Sequence, residues 1–241
     1  MGLVLKKIHR KNATKEKAIT SDQMYEIEDR GDKMIGVSRV YMMENAGHGL
    51  ADFIISEFRN DLKEKKIVVI CGSGNNGGDG FVASRHLSGY YGAKITVILL
   101  GSPADLRTQE AGINWRVIEK MDSIEIIYDN KIVDKISKKI ATADIIIDAI
   151  FGTGIKGEIR EPHASAIELI NNNSKAYVVS VDVPSGIDPN TGKPNNRSVK
   201  ADATVTFHRM KTGLLNNKKY TGKITVEKIG IPSEAEREVV V

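Results

Sequence analysis

Seven short runs of aliphatic, largely β-branched residues recur along this chain, and most are continuous rather than alternating. They fall at residues 66–71, 94–100, 124–128, 144–150, 176–181, 203–207 and 223–229. A strand with one wet face alternates apolar and polar residues; a strand covered on both faces does not. Helix-like stretches at 79–90, 105–119, 131–141 and 164–171 lie between most of the runs. Strand, helix, strand with short connectors predicts a Rossmann-like, doubly wound α/β fold, a mostly parallel sheet with helices on both faces. Upstream, Thr20 and Gln23 have capping-box spacing, which starts a helix running to about residue 33. Gly36 breaks that helix, and a second one spans 39–58. No linker, repeat or composition shift follows Thr20, so residues 20–241 read as a single domain.

Residues 1–19 form a basic arm: Lys6, Lys7, Arg10, Lys11, Lys15 and Lys17 stand against Glu16. Like-charge blocks of this kind are usually solvated, so the arm is read as flexible, binding neither nucleic acid nor membrane. No apolar run approaches the roughly 18 to 20 residues of a membrane span. Cys71 is the only cysteine, which excludes an internal disulfide and fits a reducing, cytoplasmic setting.

In an open parallel sheet, ligands bind beyond the carboxyl ends of the strands. After the first run comes CGSGNNGGDG, with G-x-G-x-x-G at Gly72, Gly74 and Gly77. Such a loop lets backbone approach a phosphate at a helix N-terminus. A dinucleotide fingerprint also wants an acid at the end of the next strand, about 20 residues on. Leu99-Leu100-Gly101-Ser102-Pro103 offers none, which counts against an ordinary NAD-dependent dehydrogenase. Asn75, Asn76 and Asp79 make the loop polar beyond what a turn needs; the plain alternative is that Asp79 caps the helix. The fourth run ends DAIFGTGIKGEIREP, with three glycines and the cations Lys156 and Arg160. Asp148 lies within that apolar run, either paired with neighbouring backbone or holding an ion. The fifth run ends SVDVPSGIDPNTG, with Asp182 at its mouth and Ser185 in the turn beyond. The apolar run before Asp182 predicts a partly desolvated carboxylate. Asn76, Asp148, Asp182 and Ser185 are hard oxygen donors, which excludes a typical zinc site and allows an alkali or alkaline-earth cation.

Five segments, MENAG (43–47), GSGNNGGDGFVASRHL (72–87), DAIFGTGIKGEIREP (148–162), VDVPSGID (181–188) and ADATVTFHRMKTGL (201–214), resemble the NAD(P)HX epimerase family, the YjeF N-terminal domain. The resemblance covers Thr20 to about Pro232 with the motifs in order. It implies an isomerase that interconverts the R and S epimers of hydrated NADH and NADPH, repairing damaged nicotinamide nucleotides. A separate ADP- or ATP-dependent dehydratase is the implied partner in the pathway, and a homodimer the implied assembly. Potassium is the implied ion, with Asn76, Asp148 and Ser185 as ligands. Implied substrate-binding residues are Asn75, Asn76, Gly77, Gly78, Asp79, Gly152, Thr153, Gly154, Ile155, Lys156, Gly157, Glu158 and Asp182. His163 stands where many members carry an aromatic residue, which puts stacking there in question. The chemistry needs a group that protonates a departing hydroxyl and then activates water, and Asp182 is assigned that catalytic role. A non-catalytic nucleotide-binding scaffold of the same fold is the alternative; the intact Asp182 and 75–79 loop favour the enzyme.

Overall fold

The computed structural model describes residues 17–59, 61–89, 92–128, 132–155 and 157–240; the arm up to residue 16 and Lys156 lie outside the described residues. The seven runs form strands β1 (Lys66–Cys71), β2 (Lys94–Leu99), β3 (Ile124–Tyr128), β4 (Ile145–Ala149), β5 (Tyr177–Val181), β6 (Ala203–Phe207) and β7 (Lys223–Glu227). They make one sheet in the order β3-β2-β1-β4-β5-β6-β7, and every pairing is parallel rather than most of them. The order reverses between β1 and β4, which opens the crevice that doubly wound folds use for ligands.

The helices are α1 (Ser21–Arg30), α2 (Arg39–Glu57), α3 (Asn75–Ser88), α4 (Gln109–Ile118), α5 (Ile132–Ala141), α6 (His163–Asn172) and the single turn α7 (Lys218–Thr221). Because side chains alternate across a strand, Ile67, Val69 and Cys71 face one layer and Val68 and Ile70 the other. The first set packs with Ile27 of α1, Leu50 of α2, Phe81 of α3 and Trp115 of α4. The second packs with Ile136 and Ile140 of α5 and Ala166, Ile167 and Ile170 of α6. Both faces of the central strands are therefore dry, as their continuous apolar runs require, while the edge strands β3 and β7 keep partly exposed positions.

Three local outcomes bear on the site. The Thr20–Gln23 capping box is present, and α1 ends in a widened turn (Gly31–Ile35) closed by Gly36 at φ 86°. The ordered chain starts before Thr20: Ile19, read as part of the arm, is fully buried and bridges to Lys211. Most consequential, α3 begins at Asn75, four residues earlier than expected. Gly74 is its N-cap and supplies no side chain, so Asp79 is not the capping residue but sits within the helix.

Candidate active site

Between the ends of β1, β4 and β5 and the helices α1 and α2 lies a half-enclosed cavity of about 360 Å³. Its floor carries Asn75, Asn76 and Asp79 of α3, the loop Gly152, Thr153, Gly154 and Ile155, and Asp182. Met24, Met42 and Met43 form an apolar wall from α1 and α2. Gly77 and Gly78 are not in the wall. A Cβ on Gly77 would lie 2.0 Å from Gly72 O, so this glycine is what lets the first turn of α3 run against the end of β1. Gly157 and Glu158 also stand outside the cavity; both are exposed, and Gly157 O accepts from Asn195 Nδ2 at 2.6 Å.

Asp182 ends β5 in the left-handed region, at φ 62°. That conformation is uncommon for a residue with a side chain and is more often tolerated by Asp and Asn. It turns the carboxylate toward β6, where Oδ1 accepts from Lys211 Nζ at 2.5 Å, Thr206 Oγ1 at 3.1 Å and the Phe207 N–H at 3.3 Å. Lys211 is fully buried, and its ammonium also donates to Thr206 Oγ1 at 3.1 Å and Phe207 O at 2.8 Å. The expected desolvated carboxylate is thus an ion-paired one. Oδ1 is thus taken by three donors, whereas Oδ2 makes no hydrogen bond among the described residues.

Two further acids share that ammonium. Burial pushes the Asp79 carboxyl well above its usual range, and the charges of Asp182 and Glu28 push it further against the pull of Lys211. Glu28, on α1 at the cavity wall, is raised to about 7, chiefly by burial; Lys211 and Arg39 oppose the rise and Asp182 adds to it. Arg39 donates to Glu28 at 3.3 Å. Two buried carboxyls with raised pKa, Asp79 and Glu28, thus lie at the same cavity as Asp182, and groups of that kind are suited to proton exchange.

Asp148 is buried beneath this floor, fully enclosed. Its oxygens accept from Ser180 Oγ at 2.7 Å, from the Ser185 N–H at 2.9 Å, from Ser185 Oγ, and from the Ile150 N–H at 3.4 Å. Burial raises its pKa and these bonds oppose the rise. Ser185 Oγ in turn accepts from the Phe151 N–H at 2.9 Å. Asn76 reaches the same segment: a Cβ on Gly152 would stand 2.9 Å from Asn76 Oδ1. Asn76 Nδ2 is buried with no hydrogen-bond partner among the described residues. The three residues expected to ligate an ion therefore gather around residues 148–152.

His163 stacks on Phe151, ring centroids 4.9 Å apart and planes 27° off parallel, and both line the cavity. Cys71 is a core residue, its thiol pushed up by burial and by the nearby Asp148 and Asp79 charges.

Lys211, Glu28, Arg39 and Arg107 were not singled out from sequence. Lys211 was within reach: the strand-end rule that drew attention to β1, β4 and β5 applies equally to β6, whose tail is HRMK. Glu28 carries no such signal, since α1 precedes the sheet and joins the site only in three dimensions.

A family model described as YjeF-related protein N-terminus matches residues 40–213. The NAD(P)H-hydrate epimerase of Nitrosopumilus maritimus (strain SCM1) is 47% identical over 227 residues, covering 92% of this chain and 99% of that protein. The bifunctional NAD(P)H-hydrate repair enzyme of Pyrobaculum aerophilum is 44% identical over 223 residues, covering 91% of this chain but 43% of its own length. Among solved structures, yeast ynu0 superposes with a TM-score of 0.70 at 25% identity, covering 88% of this chain and 87% of that one.

Proposed function

Because the chain belongs to the YjeF N-terminal-domain family and is an NAD(P)H-hydrate epimerase, an isomerase, we propose that Asp182 is the acid–base group of its reaction. The substrate, NADHX or NADPHX, carries a hydroxyl on a ring carbon next to nitrogen. The nitrogen lone pair expels the hydroxyl as the C–O bond breaks, and the Asp182 carboxyl protonates it to water. Water then adds to the other face of the resulting iminium carbon while the carboxylate takes its proton, so the centre is inverted and the proton count is restored. The observation that carries this reading is the Asp182 carboxylate in the cavity wall, held through Oδ1 by Lys211, Thr206 and Phe207, with no hydrogen bond to Oδ2 among the described residues.

The rest of the cavity supports binding. The free N–H groups at the uncapped start of α3 suit the substrate's pyrophosphate, and the His163–Phe151 pair offers a flat surface to a ring. Lys156 is assigned to phosphate in the same reading. The chemistry around Asp148 fits a bound potassium ion. Asp148 is a buried carboxylate whose hydrogen-bond partners among the described residues are hydroxyls and backbone N–H groups, with no basic side chain among them, and the amide oxygen of Asn76 lies against the same segment at Gly152. One carboxylate among neutral oxygens suits a single positive charge. Asn76, Asp148 and Ser185 would hold the ion, which would supply fixed charge that organises the 75–79 and 152–158 loops.

The S epimer so formed passes to a dehydratase, which is the partner in this reading, and a cytoplasmic setting and a homodimer belong to it as well. The direct test is to incubate the protein with separated R-NADHX and, in parallel, R-NADPHX, and to follow the S epimers by chromatography. Conversion well above the spontaneous rate is expected; conversion of both at the spontaneous rate overturns the reading.

A further inference from the structure

The cavity does not end at Arg107. Arg107 and Thr108 belong to two walls, that of the active-site cavity and that of a more open depression of about 500 Å³ beside it on α4. Pro103, Leu106, Trp115 and Arg116 line the second depression. It lies against the loop after β2, where doubly wound folds hold the adenosine ribose of a dinucleotide. In those folds an acid there bonds the ribose hydroxyls, whereas an arginine accommodates a 2′-phosphate.

The loop from Gly101 to Thr108 contains one acid, Asp105. That carboxylate is engaged locally: Oδ2 accepts from the Ser102 N–H at 2.9 Å and closes a short 3₁₀ turn. Arg107 differs. Its backbone N–H donates to Ser73 O at 2.9 Å, which fixes it beside the start of α3. Its side chain is exposed, and among the described residues the guanidinium makes no hydrogen bond or ion pair. It also stands close enough to His163 that its charge, after burial, helps hold the imidazole pKa down. A planar fork of donors, without a hydrogen-bond partner among the described residues and placed on the loop after β2 at the rim of the second depression, matches a phosphate carried on the adenosine ribose.

We propose that the depression on α4 is an adenosine subsite and that Arg107 recognises the 2′-phosphate, so that this enzyme takes NADPHX in preference to NADHX. The reacting ring occupies the cavity over Asp182, and the adenosine half continues past Arg107 onto Pro103 and Leu106.

This inference rests on the epimerase reading, but its test does not require turnover. Adenosine 2′,5′-bisphosphate and adenosine 5′-monophosphate are titrated calorimetrically into the wild type and Arg107→Ala. The wild type should bind the bisphosphate about 10-fold to 100-fold more tightly, as a charge-assisted contact implies. Arg107→Ala should erase that difference and leave the monophosphate affinity within about two-fold. Equal loss for both nucleotides would place Arg107 on the shared 5′-phosphate and overturn the proposal. A preference that survives the substitution, or a wild type with no preference, would overturn it too. Failure of the wild type to epimerise both R-NADHX and R-NADPHX would strike the functional reading instead, and the two failures are told apart by which assay is silent.

Discussion

Asp182 and Lys211 form a pair that sequence reading supplied only by half. An apolar run ending in a carboxylate reads as a desolvated acid, and on that view Asp182→Asn leaves the fold nearly untouched. With Lys211 buried against it, the same substitution strands an ammonium, and breaking a buried pair in this way costs about 3–5 kcal/mol. A marked drop in the midpoint of denaturant unfolding is therefore expected for Asp182→Asn alongside its loss of activity. Glu28 gives a second prediction, with the sign set by linkage. Its pKa rises from 4.5 in the unfolded chain to about 7 in the folded one, so the native state holds the proton more tightly. Stability from this group is fully present below about 4.5 and is lost as pH rises through about 7. Glu28→Gln should accordingly raise the melting temperature relative to wild type at about pH 8, and much less at about pH 5. An equal shift at both values would mean that burial of the charge is not what the substitution relieves. The residues of the site that were legible were those in glycine-bracketed loops after strands. Of those that were not, Lys211 and Arg107 follow strands β6 and β2 without a glycine-rich motif to flag them, and Glu28 and Arg39 come from helices whose position no local pattern encodes.

Among the elements, α3 carries the most consequence. The boundaries of the strands were read nearly to the residue, because β-branched runs bounded by glycine and charge announce themselves. The start of α3 was read four residues late, because Asn-Asn-Gly-Gly looks like a turn and has poor helix propensity. Packing decides otherwise. Gly77 runs against Gly72, and Gly80 against Cys71 and Ala149, so the helix can begin directly at the end of β1. Its other side meets α2 at Gly47, where an added Cβ would stand 2.4 Å from Val82 Cβ and 2.8 Å from Asp79 O. This gives the MENAG segment a physical role, to bring α2 against the helix that carries Asn76 and Asp79. Gly47→Ala should destabilise the fold by about 1–3 kcal/mol through overpacking and should weaken substrate binding as α3 is displaced. Urea unfolding and a binding titration check the two parts. Unchanged stability would mean that α2 and α3 separate freely at this point.

For the molecule as a whole, the crevice where strand order reverses gathers the chemistry of three strand ends, and a bound ion would tie those ends together. A ligand that binds only the folded state stabilises it, by about 2.7 kcal/mol at 100 times its Kd. For a chain of this size that corresponds to a rise of about 5–10 °C in melting temperature. Wild type should show such a rise in potassium chloride over lithium chloride at matched ionic strength, and Ser185→Ala should lose most of the increment. An increment that Ser185→Ala leaves intact would place the ion elsewhere. The claim on which the account turns is that Asp182 moves the proton. Its most direct test is the saturated rate of R-to-S epimerisation for wild type and Asp182→Asn, taken at a temperature where both are folded and with the Kd for substrate measured on each. The account predicts a rate lower by about 100-fold to 10,000-fold with affinity close to wild type. A saturated rate near wild type with weakened affinity would make Asp182 a binding group and contradict the account.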